Sequence, residues 1–341
     1  MPEGFGLLLI VVVGLAVAFD YINGFHDTAN AIATSVSTRA LKPEQAILLS
    51  ATANFVGALT GTAVAKTIAS GLATTPEGSV GQVIVAAALI GGIAWDLITW
   101  RVGIPSSSSH ALIGGLLGAV IAASGVGAVN LLGVRDKVLL PLVASPIAGV
   151  ILGFIFMVIL LNVVSIILRR LQMGRASGVN GLFRYLQVGS ATYMALSHGS
   201  NDAQKTMGII TLALFGAGII HTAEVPTWVI LLAATAISFG TAAGGWRIIR
   251  TMGQRVVKLD PIHGFAAETT AATIIFTASH FGMPVSTTHV ISSAILGVGS
   301  SDRFSAVRWG IAGNIVVAWI LTLPAAGLVA GVAFVVLNAV L

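Results

Sequence analysis

The fold class this sequence predicts is an all-α polytopic membrane protein: two inverted-topology repeats, each with a broken helix and a re-entrant helical hairpin. Three observations predict it. Hydrophobic residues make up 56% of the 341 residues and charged residues only 9%, against about 25% charged in a soluble domain. The apolar residues fall in long runs, and about 20 residues suffice to cross a bilayer as a helix. The polar residues that interrupt those runs recur in the same order in both halves. Mean hydropathy is +0.98. The absence of cysteine excludes a disulfide framework and a thiolate metal site. The net charge of +5 comes from bases scattered near the ends of apolar runs. That pattern orients a membrane protein and does not mark a nucleic-acid surface.

The first repeat is expected over residues 1–168. Gly4 to Phe19 is apolar and lacks a basic leader and cleavage site, so it reads as a first span. Asp20, Asn23, Gly24, His26, Asp27 and Asn30 then interrupt it. Gly24 would let the backbone unwind there. Ile47 to Ile68 is a second span. Two apolar arms within 80–123 flank the tip Gly103-Ile104-Pro105-Ser106-Ser107-Ser108-Ser109-His110, and the second arm is too short for an ordinary span, which predicts a hairpin. A long run with Pro146 inside follows. Residues 169–184 are the most polar stretch and read as a short cytoplasmic linker.

The second repeat, 185–341, follows the same plan. Ser197 to Asp202 interrupts an apolar run, with Gly199 placed as Gly24 is. Trp228 to Ile249 is a span. Arms within 262–300 flank Gly282-Met283-Pro284-Val285-Ser286-Thr287-Thr288-His289, and the last run contains Pro324. Asp27 and Asp202 lie 175 residues apart, Pro105 and Pro284 179, Pro146 and Pro324 178. Such ordered landmarks at nearly one offset indicate a duplication, which in a polytopic membrane protein points to a transporter. Most of the 17 Lys and Arg residues fall on one side, which is therefore expected to be cytoplasmic. Each half then crosses an odd number of times, the halves are inverted, and both termini face out.

Asp27 and Asp202 are the leading site candidates. A charge within a span costs about 2.5–3.5 kcal/mol by insertion scales, so it normally faces a partner, cavity or pathway. Helix capping or pairing with a base is the plainer role for each, but recurrence in both halves favours a site. The tip hydroxyls suit N-capping. A helix N-terminus at membrane depth is also an anion site, and Ser107, Ser108, Ser286 and Thr287 add neutral donors. Two such tips meeting at the midplane would enclose one small tetrahedral oxyanion. His26, Asn201 and Lys205 stand in the polar breaks and Glu268 in an apolar run, as candidates for a coupling ion or proton. His110 and His289 suit packing as well as a relay. A nucleophile–base pair of the asymmetric kind an enzyme needs is not evident. Nor is a Walker lysine.

These residues resemble the inorganic phosphate transporter (PiT) family, whose repeated motif reads approximately GANDVANA. It stands here as Gly24-Phe25-His26-Asp27-Thr28-Ala29-Asn30-Ala31 and again as Gly199-Ser200-Asn201-Asp202-Ala203-Gln204-Lys205-Thr206. The tips match the family too, and the resemblance covers nearly the whole chain. It implies a homodimeric inverted-repeat transporter in the cytoplasmic membrane that brings inorganic phosphate inward with sodium or protons. It also implies that Asp27, Asn30, Asp202 and the hydroxyls of Ser107, Ser108, Ser286 and Thr287 surround phosphate or its coupling cation. No cofactor is implied. Two departures matter: His26 and Lys205 stand where the motif has Asn. Each removes an oxygen ligand sodium could use, which predicts proton coupling, as in the bacterial low-affinity branch, where a neutral metal–phosphate complex is a candidate cargo. A sodium symporter, a sulfate permease of the same fold and an anion channel are the alternatives. Phosphate near neutral pH keeps a proton to donate to an Asp carboxylate and sulfate does not, which favours phosphate.

Overall fold

A computed structural model describes residues 3–72, 76, 78–170 and 177–340. The first half contributes α1 (Glu3–Ser37), α2 (Pro43–Ala58), α3 (Ala63–Gly71), α4 (Ser79–Val102), α5 (Ser108–Ser124), α6 (Leu131–Val134) and α7 (Leu140–Arg170). The second contributes α8 (Ser177–Gly216), α9 (Thr227–Ala243), α10 (Trp246–Arg250), α11 (Pro261–His280), α12 (Thr287–Asp302) and α13 (Trp309–Val340). Among the described residues four helices are long and apolar enough to cross a membrane, or up to six if each bent pair is one span. Of the expected linker, 171–176 lie outside the described residues, and helix α8 already begins at Ser177.

The expected hairpins are present. α4 ends at Gly103, whose φ of 74° is left-handed, and α5 restarts after a tip containing Pro105. α11 and α12 enclose the second tip, where Gly282 has φ 67°. Glycine is favoured at both because such angles cost other residues. Pro146 and Pro324 are carried inside the continuous helices α7 and α13. Both helices expose large apolar side chains such as Ile151, Phe154, Ile320 and Leu328, a surface that suits lipid.

The broken helices fall elsewhere than expected. α1 and α8 run without interruption through Asp27 and Asp202, for 35 and 40 residues. The bends come one element later, 67° between α2 and α3 and 61° between α9 and the helix that follows it. The motif glycines therefore do not unwind the backbone. They admit a neighbouring helix: a Cβ on Gly24 would lie 2.4 Å from Ile237 O of α9, and one on Gly199 2.2 Å from Asn54 O of α2. Gly240 and Gly57 face back across the same crossings, where a Cβ would lie 2.0 Å from Tyr21 O and 2.1 Å from Leu196 O.

Those contacts show how the halves interlock. α1 packs on α9 and, reciprocally, α8 on α2; α13 packs on α5, and α7 on α12. Each half's last helix thus braces the other half's hairpin. Two apolar cores result. One holds Ala29–Ala33 of α1 with Met194 and Ala195 of α8; the other holds Leu9–Phe19 of α1 with Ala203–Leu214 of α8. The two helices pass through the cores in opposite order, so these equivalent helices are antiparallel and the repeats are inverted. Between the cores, at the middle of both helices, lie the motif residues.

Candidate substrate and ion site

Asp27 and Asp202 face the hairpin tips from the crossing of α1 and α8, and both are buried, at 2% and 0% exposure. His26 Nδ1 lies 2.5 Å from Asp27 Oδ1. Asp202 pairs with Lys205 Nζ, one helical turn on, and its other oxygen lies 3.2 Å from His198 Nε2, four residues back on the same face. The tips close the site. Thr287 donates to Asp202 Oδ2 at 3.2 Å, Thr288 to Asp27 Oδ2 at 3.3 Å, and Asn30 Nδ2 to Thr288 Oγ1 at 2.9 Å and Thr287 Oγ1 at 3.3 Å. Lys205 Nζ also donates to Ser109, which donates to Val285 O at 3.3 Å. Each half's motif is therefore bonded to the other half's tip: Asn30 to Thr288, and Lys205, its equivalent, to Ser109.

The expected capping is also present. Ser107 and Ser286 are the N-caps of α5 and α12, accepting from His110 N and His289 N at 3.2 Å each. Their O–H groups stay free to donate. Ser108 Oγ and Asn30 Oδ1 are buried without a hydrogen-bond partner. A buried polar atom without a partner is costly and uncommon, so these two are suited to meet a ligand. His110 and His289 sit behind the tips, 4.9 Å between ring centroids, with His289 stacked on Trp319 at 4.0 Å. They pack against each other instead of reaching the carboxylates.

Two expected residues lie outside this centre. Asn201 Nδ2 donates to Ser279 Oγ at 2.8 Å and ties α8 to its own hairpin. His26 does the same in the first half, 3.1 Å from Thr99 Oγ1. Glu268 accepts from Thr34 and Ser190 at 2.5 Å each and from Gln187 at 3.2 Å, which links α1, α8 and α11. Thr34 is two turns from Asp27, about 10 Å along the helix. Glu268 thus belongs to a fully bonded network beside the centre.

His198, Ser109 and Thr288 were not singled out from the sequence. His198 had a signal, its spacing of four before Asp202. Its surroundings also set its chemistry. Thr241 Oγ1 donates to Ile237 O at 2.9 Å and accepts from Asn54 Nδ2 at 2.9 Å. Asn54 Oδ1 must then accept from His198 Nδ1, 3.0 Å away. A neutral His198 would therefore turn the Nε2 lone pair toward the carboxylates. Ligand atoms of Asp27, His198 and Asp202 all lie within 4.8 Å of one another. Two carboxylates and an imidazole nitrogen suit a divalent cation.

Inverted twin motifs, two facing helix N-termini and a shared pair of buried carboxylates define a membrane carrier for a small anion. The chain belongs to the phosphate transporter family, which it matches over residues 23–330. It is 49% identical over 334 residues to the "Probable low-affinity inorganic phosphate transporter" of Bacillus subtilis (strain 168), spanning 97% of this chain and 98% of that one. A relative of the same name from Rhizobium meliloti (strain 1021) is 46% identical over 329 residues, 96% of each chain. A solved structure, "The sodium-dependent phosphate transporter", superposes with a TM-score of 0.86 at 26% identity, over 98% of this chain and 100% of that one.

Proposed function

We propose that this phosphate transporter imports inorganic phosphate across the cytoplasmic membrane as a proton symporter, with a divalent cation able to accompany phosphate. The observation that carries this reading is the cluster of Asp27, His198 and Asp202 beneath the two tips, with Lys205 and His26 paired to the same carboxylates. Nitrogen groups occupy the carboxylate positions where sodium would need oxygen, and they are groups that exchange protons. The tips present free N–H groups and the hydroxyls of Ser107, Ser108, Ser286 and Thr287 for the phosphate oxygens. A cation held by Asp27, His198 and Asp202 would offset phosphate charge beside two carboxylates. Closure of the centre to solvent suits alternating access, in which the interlocked hairpins and motif helices open to one side at a time. Charge distribution supports termini on the outside, and the family resemblance supports a homodimer.

The test is phosphate uptake into proteoliposomes with proton and sodium gradients imposed separately, beside an Asp27→Asn variant. Uptake driven by protons without sodium, and lost in the variant, is expected. Sodium coupling is the second reading, favoured by the named sodium dependence of the structural neighbour, and uptake that follows sodium alone would replace the proton reading with it. Sulfate uptake without phosphate uptake would overturn the substrate.

A further inference from the structure

We propose that Asp20, Asn23 and Thr206 form the coupling-cation site, next to the phosphate centre but separate from it. Asp20 and Asn23 lie on α1, seven and four residues before Asp27, and so on the face that carries it. Thr206 lies on α8, four residues after Asp202, and meets them because the two helices run antiparallel. All three side chains are completely buried, at 0% exposure. Thr206 and Asn23 lie within reach of the Asp20 carboxylate, but among the described residues both Asp20 oxygens, both Asn23 amide atoms and Thr206 Oγ1 form no hydrogen bond of good geometry. Asp20 and Asn23 sit beside one another, with Thr206 across from them.

A carboxylate, an amide oxygen and a hydroxyl oxygen form a donor set for a small monovalent cation. That cation is a proton under the reading above and sodium under its rival. The charged groups that act on Asp20 are Asp202 and Lys205, both of α8. Asp96 of α4 lies toward His26, Asp27 and Ser108 instead. Lys205 is already bonded to Asp202 and Ser109, so Asp20 has no dedicated counter-charge. A carboxylate in that setting calls for a bound cation or proton.

The repeat supplies a control. The equivalents of Asp20, Asn23 and Thr206 are Ala195, His198 and Ala31. Ala195 and Ala31 pack in an apolar core at 0% exposure. The helix crossing therefore needs no acid at this position, and Asp20 is present for another purpose. Its placement couples the two events, because a cation at Asp20 lies against the Asp202–Lys205 pair that faces the cargo.

This inference deepens the symport reading, and the experiment separates the two. Wild type and Asp20→Asn are reconstituted, and labelled phosphate is followed in two ways: accumulation under imposed proton or sodium gradients, and phosphate–phosphate exchange without a gradient. The variant is expected to keep exchange within about twofold and to lose accumulation by about tenfold or more, under whichever gradient drives wild type. A variant that accumulates phosphate with the wild-type cation dependence overturns the site and leaves Asp20 a structural carboxyl. Wild-type uptake driven by sodium alone overturns the proton reading and leaves the site standing. Should Asp20→Asn not reconstitute, Thr206→Val removes one oxygen. It is expected to raise the half-maximal cation concentration about tenfold with the phosphate KM at saturating cation unchanged. An unchanged half-maximum overturns the site.

Discussion

The two motifs hold equivalent carboxylates in different company. In the first half Asp27 has its neighbour His26, which also reaches Thr99. In the second, Asp202 lies between Lys205 and His198, with Lys205 continuing to Ser109. Where the first motif has Asn30, a neutral donor to both threonines of the opposite tip, the second has a cation. The frame is thus symmetric and its charge is not. Symmetry would serve the proposed alternating access, because the same contacts can be exchanged between two states. Under the proposed symport, asymmetric charge would give the cargo one preferred arrangement of anion and cation.

The largest expected effect comes from removing that asymmetry. Lys205→Ala leaves Asp202 buried beside His198 and the Thr287 hydroxyl, without its lysine, and breaking a buried pair costs about 3–5 kcal/mol. His26→Ala leaves Asp27 the weaker loss of a hydrogen bond, about 1–3 kcal/mol. Melting temperatures of the two variants in detergent should differ accordingly, and equal losses would mean that the two carboxylates have equivalent partners after all. The glycine crossings probe the symmetric frame. In both Gly57→Ala and Gly240→Ala the added methyl meets backbone, Leu196 O and Tyr21 O respectively. Each should cost about 1–3 kcal/mol by overpacking. The two losses are expected to match, and a clear difference in thermal stability would break the equivalence of the crossings.

The tips sharpen the comparison at a smaller scale. Ser107→Ala and Ser286→Ala should each lose a cap worth about 0.5–2 kcal/mol and also raise the KM for phosphate. A stability loss with KM unchanged would confine both residues to capping. Ser108→Ala is expected to change stability least, by about 0.5 kcal/mol, because its hydroxyl forms no hydrogen bond of good geometry among the described residues. Its effect should appear in uptake kinetics, and a wild-type KM would remove it from the phosphate site.

The fold was legible wherever a local pattern carried it. Apolar runs, Gly-x-Pro tips and the repeat gave the hairpins close to their observed bounds. The two tip serines were legible as caps because N-capping depends on four consecutive residues. Gly24 and Gly199 were misread for a related reason: glycine permits both unwinding and close helix contact, and the choice rests on a neighbouring helix more than 140 residues away. Asn201 was placed in the centre by its motif, yet its side chain follows Ser279. The hydrogen bonds that hold Glu268 were not legible, because the three donors, Thr34, Gln187 and Ser190, come from α1 and α8.

From the sequence alone follow the membrane class, the duplication, and the candidate acids and hydroxyls of the proposed site. Composition, periodicity and recurrence are properties of the chain itself. Only the tertiary structure decided how the halves interlock, which tip closes over which motif, and that His198 and Asp20 join the polar middle. Those outcomes depend on antiparallel packing of α1 and α8. Packing brings together residues whose separation along the chain contains no record of their distance in space.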